Sequence, residues 1–500
     1  MEQGSQTFPV AQHHNRDRVY SLYAVALIFA VPALGGFNFG FDIGATSYAI
    51  VQMQSPVLSG VSWFHTVLSS PILRGTILSS GSAGALIGSS LAFAIGDKIG
   101  RRRELQLGSL LYLLGALLEV WTAQSSSWGA VLGITVLILG RVVYGIGIGI
   151  SMHAAPTYIA EMGPSSIRGL LVSLKEASIV LGILTGYMIG YACSKHTGGW
   201  AWIYASSTMF SMLMLILSTR IPRSCRWLML NNMEDEALES LQFVFTEEQA
   251  QVEFSNMKQS HEEACALLSD EEEEKTVWHR SYRAPLIAGV GLVVLQQITG
   301  QPSVLSYATP IFRDAGLSDS APVLLALFKL LATLSAAVTV EKYGRKMLLY
   351  TGCSLMLIGL TILSFSLDGG TYIAKVAVLV AMFVYIGGYQ VGFGPITWLL
   401  TSELYPLSIR GQAVAIAVQM NFLLNTAVQF GVPLLQEVIG LSFTFALFGI
   451  LTAYSIFFVA TRVPETKGLS LEEIEQEFAG MEKARMSTEL VSEAQQLLEV

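Results

Sequence analysis

Two carboxylates and one arginine lie inside long apolar stretches of the sequence, where few chemical roles are open to a charged side chain. Asp42 interrupts a stretch that begins near Leu22, Glu176 lies in a later one, and Arg141 lies in a glycine-rich third. A carboxylate at membrane depth costs about 2.5–3.5 kcal/mol on insertion scales, so such a group usually faces a cavity, pairs with a countercharge or binds a proton. We therefore expect a polar cavity that is enclosed by apolar helices.

The composition indicates a polytopic membrane protein. Apolar residues make up 52% of the 500 residues and charged residues only 13%, with a mean hydropathy of +0.54, which is typical of a chain whose main solvent is lipid. The net charge of −8 comes mostly from central and C-terminal acidic segments. The four cysteines have no metal-ligand or redox spacing and no nucleophile–base grouping appears, so the sequence predicts no metal, no cofactor and no enzyme.

Twelve apolar segments are each long enough to cross a bilayer as a helix, and they form two sets of six. They cover residues 21–52, 72–96, 104–123, 129–153, 170–193, 200–221, 283–308, 319–340, 347–366, 373–400, 412–438 and 441–461. We predict an all-α membrane protein with two pseudo-symmetric six-helix halves and a charged, helical linker between them. The expected divisions are an N-terminal tail (1–20), the first half (21–221), the linker (222–282), the second half (283–462) and a C-terminal tail (463–500).

The two halves repeat each other in sequence. Residues 161–169 return as 403–411 at an offset of 242, and residues 96–102 are echoed by 340–346 at an offset of 244. Motifs that recur in the same order at nearly one offset indicate parallel structural repeats with a site between them.

The lysine and arginine residues of the short loops fall on one side of the predicted membrane domain, which we call the basic face. They are Lys98, Arg101, Arg102, Arg103, Arg168, Lys342, Arg345, Lys346 and Arg410. The positive-inside rule predicts that this face, the linker and both termini lie in the cytoplasm. Residues 263–268 and 493–498 are acidic dileucine patterns, which are typical of sorting signals but equally explained by amphipathic helix faces. The expected location is the plasma membrane or an endosomal or vacuolar membrane.

Taken together, the motifs resemble the sugar porter family of the major facilitator superfamily. The resemblance covers about residues 25–475 and rests on the two repeated loop motifs together with residues 296–300, 394–398 and 464–468. Two runs, 41–46 and 296–304, are most similar to plant vacuolar and plastidic glucose transporters.

This resemblance implies a transporter that works by alternating access and moves a hexose such as glucose together with a proton. The implied partners are the sugar and protons, with no cofactor, no nucleic acid and function as a monomer in the membrane. Facilitative uniport is the alternative within transport. A non-transporting sugar sensor is a further alternative, although the tail after Gly468 is short for a signalling extension.

Asp42 is the candidate proton site, with Arg141 as its modulator. In the family a carboxylate at this position is typical of proton-coupled members, whereas facilitative members commonly carry asparagine. The repeat counterpart of Arg141 is Phe383, and Asp42 has no acidic counterpart near Leu286, so the pair breaks the internal symmetry. A nearby arginine favours the charged carboxylate and burial disfavours it, so movement of the arginine makes protonation depend on conformation. A static structural ion pair is the alternative.

Sugar recognition needs side chains that both donate and accept hydrogen bonds, together with an aromatic face. The candidates by resemblance are Glu176, Gln296, Gln297, Tyr307, Trp398, Asn421, Phe422 and Asn425. Asn421 and Asn425 are one helical turn apart and share a face, although structural hydrogen bonds between helices are an alternative for each amide. Glu176 is also open to proton binding or to pairing with Lys175 or Lys329.

The chain departs from the family's pattern at four positions, two among these candidates and two near them. Pro302 stands in place of an asparagine, Ser306 in place of a tyrosine, Phe422 in place of a tryptophan and Glu176 in place of a glutamine. These changes bear on which sugar is bound.

Paired charges at the basic face are the candidate gate. The group consists of Asp97, Arg101, Arg102, Glu161, Arg168, Glu341, Arg345, Glu403 and Arg410. Charge-assisted pairing between such groups can lock two halves together, and the resemblance implies that the lock breaks when the protein opens inward. A role as topology signals only is the alternative.

Overall fold

The fold is helical throughout the part of the chain that the computed structural model describes. That part comprises residues 20–123, 129–268, 277–279, 282–367, 371–405, 409–467 and 473–474, without the side chains of 260–268, 337–341 and 402. Within it lie eighteen helices and one isolated antiparallel bridge, between Tyr20 and Phe245.

Six long helices and one short one form the first half. They are α1 (Leu22–Met53), α2 (Phe64–Ser69), α3 (Pro71–Ile99), α4 (Arg101–Ala123), α5 (Ala130–Met162), α6 (Arg168–Cys193) and α7 (Gly199–Ser218). Local sequence explains several limits: the Ser21 hydroxyl accepts a hydrogen bond from the Ala24 N–H at 3.3 Å, and Ser70 caps α3 directly before Pro71. Gly100, with φ of +82°, separates α3 from α4 in a conformation that favours glycine.

Three helices of the linker pack on the basic face of the first half. They are α8 (Cys225–Leu230), α9 (Glu234–Val244) and α10 (Glu247–Leu268). Trp227 Nε1 donates to the Asp97 carbonyl at 2.7 Å, and the Ser21 N–H donates to the Val244 carbonyl at 2.9 Å. The linker is therefore tied to the end of α3 and to the start of α1.

The helices of the second half are interrupted at three glycines. The helices of this half are α11 (Arg283–Ile298), α12 (Gln301–Ser306), α13 (Ala308–Asp314), α14 (Ala321–Tyr343), α15 (Arg345–Ser366), α16 (Tyr372–Val391), α17 (Phe393–Glu403) and α18 (Arg410–Arg462). Gly300 (φ +97°) separates α11 from α12, Gly392 separates α16 from α17, and Gly440 (φ +80°) interrupts α18. The single span predicted at 283–308 is thus broken, because the backbone at Gly300 leaves the helical region.

Twelve membrane passes can be assigned to the described helices. Ten helical segments are long and apolar enough to cross a membrane, and two of these segments are helix pairs, α11 with α12 and α16 with α17. One of the ten, α18, is interrupted at Gly440 and supplies two passes, and α14 adds another through its apolar part, Ala321–Ala336. The total is the number that the sequence predicts.

Glycine allows close packing inside the first half. Gly145 on α5 faces Gly81 on α3, where a Cβ added to Gly145 would lie 2.0 Å from the Gly81 carbonyl oxygen. Small residues let helix backbones approach closely, which is a main source of packing energy in lipid. The halves meet where α3 packs on α18 and where α6 packs on α14, so these four helices border the space between them.

Candidate functional site

The Asp42 carboxylate and the Arg141 guanidinium form an ion pair inside the first half. Arg141 Nη1 lies 3.0 Å from Asp42 Oδ1, and Arg141 Nη2 lies 3.2 Å from Asp42 Oδ2. Two parallel hydrogen bonds are the bidentate geometry that suits an arginine and a carboxylate. Arg141 is 2% exposed and Asp42 9%, so the structure brings the two predicted residues together in a buried position.

Neighbouring groups of the first half take up the other donors of Arg141. Its Nε donates to the Ile77 carbonyl at 2.6 Å, and its Nη1 also donates to Thr46 Oγ1 at 2.9 Å and to the Tyr204 hydroxyl at 3.1 Å. Thr46 in turn donates to Asp42 Oδ1 at 3.2 Å. Such additional hydrogen bonds are needed to offset the desolvation of a buried ion pair, and here they come from α1, α3 and α7.

A second carboxyl group, that of Glu119 on α4, lies near the same guanidinium. Its Oε1 is 3.9 Å from Arg141 Nη1 and has no hydrogen-bond partner among the described residues. The residue is only 1% exposed. One buried guanidinium is therefore shared unequally by two buried carboxyl groups.

A small cavity adjoins the ion pair and is bounded by both halves. Its polar lining consists of Asp42, Thr46, Ser82 and Arg141 from the first half and of Ser306 and Gln429 from the second. The cavity has room for about one water molecule. Asp42 therefore faces the boundary between the halves.

Three predicted sugar ligands of the second half form a hydrogen-bonded amide cluster. Gln297 Nε2 donates to Asn421 Oδ1 at 2.6 Å, and Asn425 Nδ2 donates to Gln297 Oε1 at 3.1 Å. Asn421 and Asn425 lie on one face of α18, and Gln297 lies near the end of α11, just before the break at Gly300. Amides both donate and accept hydrogen bonds, which matches what a sugar hydroxyl needs.

The amide cluster reaches the first half through Ser82 and Gln429. Asn425 Oδ1 accepts hydrogen bonds from Ser82 Oγ and from Gln429 Nε2, both at 2.6 Å, and Gln429 Nε2 also donates to Ser82 Oγ at 3.0 Å. Because Ser82 and Gln429 also line the cavity beside Asp42, the amide cluster and the ion pair border one polar region between the halves.

The other predicted sugar ligands of the second half lie in varied surroundings. Gln296 Nε2 donates to the first backbone carbonyl of α17 at 2.8 Å, and Tyr307 is buried with a hydroxyl that has no partner among the described residues. Phe422 packs edge-on against Phe39 of α1, with the ring centroids 6.4 Å apart. Trp398 on α17 is half-buried. Phe422 therefore joins the two halves by an aromatic contact.

Glu176 pairs with its neighbour in sequence. Its Oε1 lies 2.7 Å from Lys175 Nζ, and its side chain is 48% exposed. Lys329, the other partner considered from the sequence, is buried and donates to Gln390 Oε1 at 2.6 Å. Of the two pairings, the structure contains the one with Lys175.

The predicted gate residues of the first half pair with one another at the basic face. Arg101 Nη2 lies 2.8 Å from Asp97 Oδ1, Arg101 Nη1 lies 3.3 Å from Glu104 Oε1, and Arg101 Nε lies 3.5 Å from Glu161 Oε1. Glu104, which the sequence analysis did not select, is fully buried and also bonds His153 Nδ1 at 2.7 Å. Arg101 thus gathers three acids of its own half.

A corresponding network closes within the second half. Arg345 Nη2 donates to Glu403 Oε1 at 2.8 Å and Arg345 Nε donates to Glu403 Oε2 at 3.3 Å. Thr466 also donates to Glu403, while Glu465 accepts hydrogen bonds from the backbone N–H groups of Arg345 and Lys346, both at 3.0 Å. Glu465 therefore caps the first turn of α15.

The remaining gate arginines bind backbone carbonyls. Arg102 Nη2 donates to the Thr219 carbonyl at 2.8 Å. Arg168 donates to the carbonyl five residues before it at 3.4 Å, and Arg410 donates to the carbonyl five residues before it at 3.0 and 3.1 Å. The repeated loops therefore have the same internal hydrogen bond.

Ion pairs between these gate residues, among the side chains that the structure describes, join groups of one half only. The predicted lock between the halves is thus not formed by these described side chains. Glu341 and the dileucine pattern at 263–268 lie outside the described side chains, and the pattern at 493–498 lies outside the described residues.

Further hydrogen bonds between the halves lie on both sides of the amide cluster. Nearer the basic face, Ser90 Oγ donates to Gln419 Oε1 at 2.9 Å. The others lie at the face opposite the basic one. Ser47 Oγ donates to Thr309 Oγ1 at 2.9 Å and accepts from the Thr309 N–H at 3.1 Å. The Tyr187 hydroxyl donates to a carbonyl of α12 at 2.6 Å, and the Tyr48 hydroxyl donates to the Asp319 carbonyl. These bonds join α1 and α6 to α12, to α13 and to the loop before α14.

Several residues of the site were not identified from the sequence. Glu119 has the same signal as Asp42, a carboxylate within an apolar stretch, so the insertion-cost argument applies to it equally. Gln429 lies one helical turn after Asn425 and continues the same polar face. Thr46 has no comparable signal, because hydroxyl side chains are common in apolar helices.

Known proteins that are similar to this chain are membrane transporters. A family model described as "Sugar (and other) transporter" matches residues 28–478. D-xylose-proton symporter-like 2 of Arabidopsis thaliana is 40% identical over 486 residues, which cover 93% of each chain. D-xylose-proton symporter-like 3, chloroplastic, from the same plant is 41% identical and covers 91% of this chain and 83% of its own.

A solved structure extends the similarity to the fold. The inward-open conformation of the xylose transporter XylE from E. coli matches with a TM-score of 0.75 and 27% identity, covering 90% of this chain and 98% of that one. This match confirms the predicted all-α fold of twelve helices in two halves. The relatives are transporters and not enzymes, as the sequence analysis expected. The chain is a multi-pass membrane protein that belongs to the sugar transporter family of the major facilitator superfamily.

Proposed function

We propose that the protein carries a monosaccharide across its membrane together with a proton, by alternating access. The observation that carries this proposal is the buried Asp42–Arg141 pair, which lines a cavity bounded by both halves. A carboxylate in this position exchanges a proton with the cavity, and its charge sets its attraction to Arg141. Proton binding is thereby linked to the arrangement of the helices that hold the two groups.

The amide cluster is the proposed sugar site. Gln297, Asn421 and Asn425 offer donors and acceptors that sugar hydroxyls can engage in place of their present mutual bonds. Asn425 also bonds to Ser82 of the first half, so a bound sugar competes with a link between the halves. Phe422 offers an aromatic face for the C–H surface of the ring. Gln296, Tyr307, Trp398 and Glu176 stay candidates for further contacts.

In the proposed cycle, the site between the halves opens alternately at the basic face and at the opposite face. The hydrogen bonds between halves at the opposite face, together with the charge pairs that close within each half at the basic face, support an inward-open arrangement. In the outward-open state, we propose, the acids and arginines of the two basic-face networks pair across the halves. The cytoplasmic position of the basic face, the membrane of residence and function as a monomer stay predictions.

D-xylose is the first candidate sugar. The names of the Arabidopsis relatives and of XylE refer to xylose, which supports a pentose more than the glucose expected from the sequence resemblance. Glucose is the second candidate, supported by the similarity of residues 41–46 and 296–304 to plant glucose transporters. The two sugars share a pyranose ring and differ by one hydroxymethyl group, so one site can be tested with both.

Uptake by the purified protein in liposomes tests the proposal. Labelled D-xylose and D-glucose are offered with and without an inward proton gradient to the native protein, to Asp42→Asn and to the control Glu437→Gln, which alters an exposed carboxylate of α18. We expect the native protein and the control to accumulate one sugar above its external concentration only with the gradient, and Asp42→Asn to lose this accumulation. Equilibration alone, at equal rates in the native protein and Asp42→Asn, would show a uniporter. Sugar binding with no uptake would show a sensor.

A further inference from the structure

We infer that Glu119 is a second acidic group of the coupling site, which replaces Asp42 as the counter-ion of Arg141 when Asp42 binds a proton. The inference deepens the proposed function and rests on it. Its starting point is geometric: the same atom, Arg141 Nη1, lies 3.0 Å from Asp42 Oδ1 and 3.9 Å from Glu119 Oε1. Closing the longer distance to a hydrogen bond requires a shift of about 1 Å.

The bonding of the two carboxyl groups is unequal in this structure. Both oxygens of Asp42 accept hydrogen bonds from Arg141, whereas Glu119 Oε1 is buried with no partner among the described residues. A buried acceptor without a partner costs about 1–3 kcal/mol. Glu119 therefore gains a hydrogen bond if Arg141 moves away from Asp42.

Glu119 changes the number of bound protons at which the cluster is electrically neutral. Arginine stays protonated in proteins, so one guanidinium and two carboxyl groups are neutral together when they hold one proton. Without Glu119, the remaining Asp42–Arg141 pair is neutral when it holds no proton. A net charge among apolar helices is costly. Glu119 therefore favours the proton-loaded form of the site, and its loss favours the empty form.

The other titratable side chains that face the cluster do not change this count. Tyr204 on α7 accepts a hydrogen bond from the guanidinium, and Tyr112 on α4 and Tyr144 on α5 donate to carbonyls of α1, each at 3.0 Å. Tyrosine hydroxyls are uncharged near neutral pH. Helix α3 faces the cluster with the Ile77 carbonyl and Ser82, and the second half faces it across the cavity with neutral polar groups.

The two acids differ in access, which separates their roles. Asp42 lines the cavity between the halves, whereas Glu119 packs inside the first half, where a Cβ added to Gly140 would lie 3.1 Å from Glu119 Cγ. Asp42 is thus placed to exchange the transported proton. Glu119 acts on Asp42 through Arg141 from inside the first half, so it is a positioning residue.

The internal repeat sets Glu119 apart in the same way as Asp42 and Arg141. The starts of α4 and α15 are related by the offset of 244, at which Gly115 corresponds to Gly359 and Glu119 to Leu363. Leu363 is fully buried among apolar residues. The packing glycine is repeated and the acid is not, so Glu119 belongs to the feature that only the first half possesses.

The pH dependence of gradient-driven sugar uptake tests the inference. Initial rates in proteoliposomes are measured at a series of external pH values for the native protein, Glu119→Gln and the control Glu437→Gln. We expect Glu119→Gln to need about a tenfold higher proton concentration for half-maximal uptake, because its site is already neutral without a proton. The control should keep the native profile.

The outcomes separate the inference from the function on which it rests. Proton-driven uptake by the native protein with an unshifted profile for Glu119→Gln would overturn the inference and leave the proposed function in place. Absence of gradient-driven uptake in the native protein would overturn the proposed function itself.

A pair of variants of equal size separates charge from packing at this position. Glu119→Asp and Glu119→Asn both shorten the side chain by one methylene, and we expect only the asparagine variant to shift the profile as Glu119→Gln does. Sugar counterflow, which requires no net proton movement, reports whether each variant is folded. Loss of counterflow in all three variants would show that Glu119 serves folding and would overturn the inference.

Discussion

The two halves of the molecule agree at the basic face and differ in the membrane interior. At the basic face Arg101 and Glu161 of the first half match Arg345 and Glu403 of the second, and each arginine pairs with the acid of its own half. The repeated loops also share the hydrogen bond of Arg168 and Arg410 to a carbonyl five residues earlier. This face therefore keeps the symmetry that the sequence repeat indicates.

In the interior the buried ion-pair cluster belongs to the first half, whereas the amide cluster belongs to the second. Asp42, Glu119 and Arg141 form a cluster of ionisable groups, whereas Gln297 and Asn421 are neutral groups that both donate and accept hydrogen bonds. A buried charge is costly and a paired amide is not, so each type of group suits a different ligand. In the proposed cycle, one half binds the proton and the other binds most of the sugar.

The largest effect should follow from removing the guanidinium of Arg141, whose counterpart in the second half is Phe383. Arg141→Gln leaves two buried carboxyl groups without a counter-ion and should lower the free energy of unfolding by about 3–5 kcal/mol. Phe383→Leu, at the corresponding position of the second half, is a hydrophobic exchange that should cost less than about 1.5 kcal/mol. Thermal unfolding in detergent measures both. Equal losses of unfolding free energy in the two variants would mean that the buried guanidinium contributes no more to stability than the aromatic ring at the corresponding position.

A second large difference is expected between two glycines that correspond in the repeat. A Cβ at Gly145 would lie 2.0 Å from the Gly81 backbone oxygen, whereas one at Gly387 would meet only the Phe328 side chain, at 3.3 Å. A side chain can move aside and a packed helix backbone cannot. Gly145→Ala should therefore destabilise by about 2–3 kcal/mol and Gly387→Ala by much less. Unfolding midpoints of the two variants that coincide would contradict this reading of the helix contact.

If the first half binds the proton and the second half binds most of the sugar, the sugar affinity and the pH dependence of uptake should change independently. Asn421→Ala removes the acceptor of Gln297 and should weaken sugar binding about tenfold, or 1.4 kcal/mol, while the pH profile of uptake stays native. Thr426→Val, which alters a hydroxyl bonded to a carbonyl of its own helix, should change neither. Binding isotherms and uptake rates of the two variants give the comparison. Unchanged affinity in Asn421→Ala would remove this residue from the site.

The smallest effect concerns the cap that Glu465 places on α15. Glu465 accepts hydrogen bonds from the first two N–H groups of α15, and its exchange for glutamine should lower the free energy of unfolding by about 1 kcal/mol. The exposed Glu437→Gln should lower it by less than half as much. Thermal unfolding distinguishes the two variants. A Glu465→Gln variant as stable as Glu437→Gln would show that the cap does not contribute to stability.

Most of the fold was predictable because the signals are local. Segment length and apolar content identify twelve passes, and the offset between repeats identifies two halves. The break at Gly300 was not predictable, since a glycine within an apolar stretch is compatible with a continuous helix. The φ there is +97°, and a Cβ added to Gly300 would lie 2.4 Å from the Phe448 ring, so both the backbone conformation and the packing favour glycine.

The site was predictable in its residue types and less so in its pairings. Charge cost singled out Asp42, the family resemblance supplied Arg141 as its partner, and helical spacing predicted that Asn421 and Asn425 share a face. The structure contains both arrangements. The partner of Glu176 was left open, since Lys175 and Lys329 are equally plausible until the tertiary contacts are known. Their roles in transport stay predictions.

The bonds around Glu403 connect the predicted gate residues of the second half to the segment that follows α18. Thr466 donates to the same carboxylate that Arg345 holds, and the adjacent Glu465 fixes the first turn of α15. Residues 465 and 466 are thus held by hydrogen bonds to the predicted gate residues Arg345 and Glu403. A displacement of this segment would remove one of the hydrogen bonds that Glu403 accepts and the cap on α15, so the two ends of the second half's basic face would loosen together.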